Sequence, residues 1–361
     1  MNIILFPGVP TALIEQYFDF NHISYLKLDP FNANIDGGRY TFDFDCLKQS
    51  NVLFIISSEL FAELISWEVS RQQVIDFCSQ GNRLWIINRF DVFTMFVGKY
   101  EANLKFNALV PPKSVTFFFD AVPTSNYVKS KLESFHYKVF PYSSLMNLSR
   151  ISNAKVIKTN CTNDYMLTMG HAKIHKEHIW NQLQQRPDLL AKGKVVYHSH
   201  DHPENYGATH PWLGQKHPLA GWSEGHTSMD LYLDTWVELL PETLYQNGYY
   251  YTEKTNKPIV TKTPFLIVAT PGYLKYLHSL GFQTFNTLID ERYDQIDSVN
   301  DRVTCVLNQL EDIIKNGSEN FYHACQPILD HNHNKLAEIT GRWVYDTDLF
   351  FEETLNEIGI K

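Results

Sequence analysis

Asp164-Tyr165-Met166-Leu167-Thr168-Met169-Gly170 reads as a strand that ends in a glycine, and a charged helix over Ile174–Gln185 follows it. Strand, glycine-marked turn and helix together open an α/β unit. The position of this stretch makes it decisive. It restarts a pattern that has already run once through the first 150 or so residues, so the chain reads as two successive α/β units. Downstream come Asp188-Leu189-Leu190, a short strand over Lys194–His198, a strand-like run over Trp236–Leu240 and a helix over Thr252–Val260. A buried strand over Phe265–Ala269, a helix over Pro271–Ser279 and a further strand at Phe282-Gln283-Thr284-Phe285 are expected next. Asp297–Asn316 carries Val303, Val306, Leu307, Leu310, Ile313 and Ile314 at helical spacing. A last helical zone covers Glu319–Leu355.

Upstream, short apolar strands are expected at Asn2–Phe6, Ser24–Lys27, Val52–Ile56, Arg83–Ile87, Ser114–Phe119 and Tyr137–Phe140. Helical stretches fall between several of them, at Pro10–Phe20, Glu59–Trp67 with Arg71–Gln80, and Asn126–Ser134. This alternation predicts a parallel sheet with helices on its faces. No G-x-G-x-x-G is present, so a dinucleotide fingerprint is absent. The expected division is 1–155, 156–330 and a C-terminal helical segment, 331–361.

The chain has 361 residues, enough for two domains, and 44% of them are hydrophobic, enough for a large core in each. A formal net charge of -9 argues against a broad nucleic-acid or anionic-membrane surface while leaving room for a local basic cleft. Cys46, Cys78, Cys161, Cys305 and Cys325 are scattered and form no C-x-x-C, which fits reduced thiols in a cytoplasmic protein. The N-terminal apolar run is short and lacks a basic lead, so it reads as a first strand rather than a signal peptide. No run of about 18 apolar residues exists, so no membrane span is expected.

Two places carry candidate chemistry. In Tyr249-Tyr250-Tyr251-Thr252-Glu253-Lys254-Thr255 an acid and a base stand together at a helix start. Glu253 can accept from ribose hydroxyls and Lys254 can meet phosphate charge, although Glu in a first helical turn is favourable without any ligand. In Gly170-His171-Ala172-Lys173-Ile174-His175-Lys176 a glycine lets a ligand approach the backbone. The basic residues after it are disfavoured by the helix dipole unless an anion is near. A third segment holds His198, His200, His202, His210, His217 and His226 with Asp201 and Glu204. It lacks H-E-x-x-H and fits no standard zinc module, so a polar loop and a metal site both stand as readings. Asp290-Glu291-Arg292-Tyr293-Asp294 and His331-Asn332-His333-Asn334 read as structural.

The order of these elements resembles the C-terminal half of a family of GT-B-type glycosyltransferases of bacteria, phages and large viruses. The residues that carry the likeness are Tyr165–Lys176, Leu189–Gly193, a glutamate within 238–242, Thr252–Thr255, Gly281–Phe285 and Asp290–Asp294. Thr252-Glu253-Lys254 also resembles the donor motif of the α1,3-fucosyltransferase family. Where the GT-B pattern has His-Arg, this chain has His175-Lys176, and lysine lacks the bidentate fork of arginine. The resemblance implies a GT-B fold, two Rossmann-like domains with an interdomain cleft, and C-terminal helices, 331–361, that cross back to the first domain. It implies a glycosyltransferase that moves a sugar from a nucleotide-sugar donor to a glycan, protein or modified-nucleobase acceptor. Donor contacts would come from Gly170, His171, Lys173, His175, Lys176, Tyr251, Thr252, Glu253 and Lys254. The nucleotide sugar would be a co-substrate, with no cofactor required and at most a non-essential divalent metal. The setting would be cytoplasmic, the host cytoplasm for a phage or viral source.

An acceptor proton needs a base. Asp91 and Asp120 follow strands of the first domain, where α/β sheets place ligand groups, and both positions also suit a turn or helix cap. Two other classes stay open: a metal-binding hydrolase built on His198–His226, and a non-catalytic nucleotide- or sugar-binding module of the same fold.

Overall fold

In the computed structural model of the chain, residues 2–5, 52–57, 68–87, 100–119, 121–139, 158–170, 172–197 and 232–357 are described, with short pieces at 19, 25–27, 35–36, 39–40 and 61. Two units emerge: Met1–Ser143 with Trp343–Lys361, and Ser144–Arg342. Each is an α/β unit built on a parallel sheet, the architecture expected from the alternating pattern.

The first sheet has strands β1 (Asn2–Leu5), β2 (Leu26–Lys27), β3 (Val52–Ser57), β4 (Arg83–Ile87), β5 (Val115–Phe119) and β6 (Tyr137–Val139), in the order β2-β1-β3-β4-β5-β6. All neighbours are parallel. β5 is Val-Thr-Phe-Phe-Phe and buried throughout, as a strand covered on both faces must be. Between strands lie α1 (Glu68–Ser79), α2 (Tyr100–Asn107) and α3 (Asn126–Leu132). Ser125 caps α3 by accepting from the Val128 amide at 3.2 Å. Helix α2 was not foreseen, because Tyr-Glu-Ala-Asn-Leu-Lys-Phe-Asn shows little apolar periodicity. The expected helix over Pro10–Phe20, most of Glu59–Trp67 and Cys46 lie outside the described residues.

The second sheet has β7 (Asn163–Met169), β8 (Gly193–Tyr197), β9 (Thr235–Pro241) and β10 (Phe265–Val268), in the order β8-β7-β9-β10, all parallel. The chain moves from β7 out to the edge at β8, then returns past β7 to β9. The strand order therefore reverses between β7 and β9. Tyr165 of β7 pairs in register with Gly193 of β8, and the Tyr165 ring fills the space a Cβ on Gly193 would take. Helices α4 (Ile174–Gln184), α5 (Pro187–Lys192), α6 (Glu253–Val260) and α7 (Tyr273–Ser279) connect or flank the strands. Gly272 enters α7 at φ 83°, a left-handed conformation that glycine adopts without strain. Ser298 caps α8 (Val299–Asn316), and α9 (Ser318–Ala324) leads to α10 (Gln326–Glu357). Phe351 and Leu355 of α10 pack with Leu53, Ile55, Trp85 and Phe118 of the first unit.

One expected strand is absent. Residues 282–285 form an irregular segment whose backbone is satisfied by side chains. Asn332 of α10 accepts from the Gln283 amide at 2.7 Å and donates to its carbonyl at 2.8 Å, as a neighbouring strand would. The Glu291 carboxylate accepts from the Phe285 amide and the Thr284 hydroxyl, at 2.7 and 2.6 Å. Aromatic residues at both ends of the segment look strand-like in sequence. Phe282 instead stacks on Tyr251 and Phe285 packs edge-on against Phe265.

Candidate functional site

β7 and β9 are adjacent in the sheet and bracket the reversal of strand order, where open parallel sheets leave a crevice for ligands at their carboxyl ends. The segments leaving these two strands meet there. Gly170 follows β7, and a Cβ placed on it would meet nothing within 4 Å. Lys173 is the N-cap of α4; it makes no side-chain cap, and its Nζ reaches across to the Thr243 carbonyl at 3.1 Å. Ile174 is 54% exposed, an apolar side chain left open between basic neighbours.

His175 and Lys176 are buried. Nε2 of His175 lies 2.8 Å from the Glu242 carbonyl, which can only accept, so this nitrogen carries the proton. Its ring stacks on Tyr245 with centroids 5.0 Å apart. Burial, reinforced by the Lys176 ammonium, pushes the His175 pKa down to about 3, so the ring is neutral. Burial, reinforced by the Lys254 and Lys173 ammonium groups, pushes Lys176 down to about 8.

On the β9 side Glu242 is fully buried directly after the strand. Its carboxylate accepts from the Thr243 amide, from the Thr252 hydroxyl at 2.8 Å and amide at 3.2 Å, and from the Thr255 hydroxyl at 2.9 Å. Thr252 is the N-cap of α6 and accepts from the Lys254 amide at 3.2 Å. That cap fixes where Glu253 and Lys254 point. Lys254 Nζ donates to the Thr243 hydroxyl at 2.9 Å and to Glu253 Oε1 at 2.7 Å. Burial pushes the Glu253 carboxyl up, but the Lys254 and Lys257 ammonium groups outweigh it and hold it below the usual carboxylate range. Tyr251, just before the cap, is buried and stacked on Phe282 at 5.8 Å.

The result is a cluster of ammonium groups at the N-termini of α4 and α6, where both helix dipoles are positive. Like charges gathered against two positive dipole ends are unfavourable in isolation and favourable around an anion. The adjacent Glu253 carboxylate gives the cluster an acceptor edge for hydroxyl groups.

No protein-family model matches the chain, and no curated protein matches it. Among solved structures it is similar to the DNA-modifying enzyme β-glucosyltransferase, determined with and without uridine diphosphoglucose. The TM-score is 0.48 at 10% identity, over 98% of this chain and 99% of that one. It is likewise similar to T4 phage BGT in complex with UDP and Mn2+, with a TM-score of 0.46 at 10% identity over 100% of both chains.

Of the residues singled out in the sequence, the second unit gathers Lys173, His175, Lys176, Thr252, Glu253 and Lys254 around Glu242 and Thr243, while Gly170 directly follows β7 and Tyr251 directly precedes the α6 cap. His171, Asp91, Asp120 and the whole of His198–His226 lie outside the described residues. Among the described residues no group of three or more His, Cys, Asp or Glu is placed to hold a metal ion. Among them, too, no helix is long and apolar enough to cross a membrane. Cys78, Cys161, Cys305 and Cys325 are unpaired thiols. Asp290–Asp294 is structural: Asp290 pairs with Arg292, and Asp294 accepts from the Leu274 amide at the start of α7. His331 reaches the Gly281 carbonyl at 3.0 Å.

Sequence reading did not assign roles to Glu242, Thr243, Tyr245 and Thr255. A signal for Glu242 was present: an acid directly after Leu239-Leu240-Pro241, at the end of a wholly buried strand. Glu238, four residues earlier, is a different case. It sits within the strand, takes a bond from the Tyr232 hydroxyl at 3.4 Å, and burial pushes its pKa up to about 8.

Proposed function

We propose that the chain is a glycosyltransferase whose nucleotide-sugar donor binds at the carboxyl ends of β7 and β9. The observation that carries this reading is the convergence of Lys173 and Lys254 on Thr243, with Lys176 beside them and Glu253 bonded to Lys254. A nucleoside diphosphate matches that arrangement: its phosphates answer the ammonium groups and helix N-termini, and its ribose hydroxyls answer Glu253. The likeness of Thr252-Glu253-Lys254 to the fucosyltransferase donor motif belongs to the same reading.

In the reaction the bond from the anomeric carbon to the diphosphate oxygen breaks and a bond to an acceptor oxygen forms. The leaving diphosphate keeps the electron pair and gains charge. Lys173 and Lys254, already held by hydrogen bonds to Thr243, stabilise it with little reorganisation. The acceptor proton goes to a base on the first unit, for which Asp91 and Asp120 are the candidates. The acceptor is a glycan, a protein or a modified nucleobase, and the cytoplasmic setting read from the reduced cysteines belongs to this proposal.

A thermal-shift screen of the full chain against UDP, GDP, CMP, dTDP and their sugars tests it, since a ligand that binds only the folded state raises the melting temperature. One nucleotide class should stabilise the protein, and its sugar should be hydrolysed slowly or transferred. No shift with any of them counts against the donor site. Binding without turnover against any acceptor points to a non-catalytic nucleotide-binding module.

A further inference from the structure

We propose that Glu242 is a positioning residue for diphosphate recognition, holding the two cationic segments of the site in one geometry; this rests on the donor-site reading above. Glu242 bonds to elements on both sides of the site. Its amide donates to the Val268 carbonyl of β10 at 2.9 Å, and its carbonyl takes the His175 proton from α4 at 2.8 Å. Its carboxylate accepts from Thr252, the cap of α6, and from Thr255 inside that helix. The Tyr273 hydroxyl of α7 stands 3.4 Å away from it. The next residue, Thr243, receives Lys173 through its carbonyl and Lys254 through its hydroxyl.

Glu242 is 0% exposed, so ligand contact is not its role. Its position accounts for a different problem. Lys173 and Lys176 arrive with α4 after β7, whereas Lys254 arrives with α6 after β9, and ammonium groups repel. Something must hold the two segments at the spacing of one ligand before the ligand is there. Glu242 does this with two acceptors, its carbonyl bonded to α4 and its carboxylate bonded to α6, and the carboxylate's negative charge lies close enough to Lys176 to favour the ammonium form. A shift of either helix would break several of these bonds together, so the geometry is held cooperatively.

The test compares affinities for UDP and GDP with those for uridine and guanosine in the full chain, by calorimetry, for wild type, Glu242→Gln, Thr255→Val and Lys254→Ala. Glu242→Gln puts an amide donor where the carboxylate only accepts. Thr255→Val removes one bond to Glu242 at nearly constant shape, and it carries the test if the glutamine variant does not fold. Wild type should prefer the diphosphate, and that preference should fall about tenfold or more in Glu242→Gln and about threefold in Thr255→Val. General loosening of the fold would weaken nucleoside and diphosphate alike and leave their ratio unchanged. A preference lost in Lys254→Ala but unchanged in folded Glu242→Gln or Thr255→Val overturns the positioning role and leaves the donor site standing. A wild type without any preference for diphosphate overturns both.

Discussion

His175 gives its only ring proton to the Glu242 carbonyl at 2.8 Å, while its other nitrogen, Nδ1, is buried with no partner among the described residues. The pair joins the start of α4 to the end of β9 and commits the imidazole to its neutral form. Protonating Nδ1 would place a charge in a dry site beside Lys176 and Lys173, and the pKa is accordingly depressed to about 3.

A pH dependence of stability follows. Above about pH 6.5 the ring is neutral in both folded and unfolded chains and costs nothing. As pH falls from 6.5 toward 3, the unfolded chain takes up a proton that the folded chain refuses, so stability drops by up to roughly 1.4 kcal/mol per pH unit from this group. Urea unfolding between pH 7 and 4 should show that slope, and His175→Asn should flatten it by one proton. An unchanged slope in the variant would assign the effect elsewhere.

Lys176 yields a prediction of the opposite kind, in binding rather than folding. Its ammonium is held down to about 8 by burial and by Lys254 and Lys173, so the free site is partly deprotonated above that pH. A phosphate dianion restores the charged form. Nucleotide binding between pH 8 and 10 should then take up a proton, and affinity should fall by up to about tenfold per pH unit across that window. Calorimetry in buffers of differing ionisation enthalpy measures the uptake, and Lys176→Met should abolish it.

Lys254 and Glu253 are bonded to one another at 2.7 Å and only partly exposed, so each variant leaves the other unbalanced. Lys254→Ala should cost about tenfold or more in diphosphate affinity, the scale of a charge-assisted hydrogen bond. Glu253→Gln should weaken ribonucleotides more than their 2′,3′-dideoxy analogues. Equal losses for both sugars would remove Glu253 from the ribose.

The legible parts of the fold were those governed by local pattern. Strands such as Arg83–Ile87 and the long helix over Val299–Asn316 declare themselves by burial runs and helical spacing. Glu253 and Lys254 were legible because Thr252 and Glu253 form a helix start. Glu242 was not, because its importance lies in contacts with Thr252, Thr255 and His175, which are 10, 13 and 67 residues away. The irregular course of residues 282–285 was hidden for the same reason: Asn332, 49 residues on, takes the place of a strand.

Asn332 therefore has a measurable role. It is buried, and both ends of its amide are committed to Gln283. Asn332→Leu leaves a backbone donor and acceptor without partners and should destabilise the fold by about 2–3 kcal/mol. Asn332→Asp keeps the acceptor and should cost less at low pH than at neutral pH. Chemical denaturation decides both.

Gly193 is fixed by the ring above it. The Tyr165 side chain is fully buried and cannot swing clear of a new methyl group. Gly193→Ala should cost roughly 1–3 kcal/mol through overpacking between β7 and β8. Tyr165→Phe in the same background should not recover it, whereas Tyr165→Leu should recover part.

The last helix also sets an order of assembly. Phe351 and Leu355 pack on Trp85 and Phe118, so the core of the first sheet lacks these contacts until residues 343–361 have been synthesised. The second unit, continuous from Ser144 to Arg342, has by then been fully synthesised. During synthesis the unit encoded first is thus the one completed last, which reverses the usual N-to-C order of domain folding.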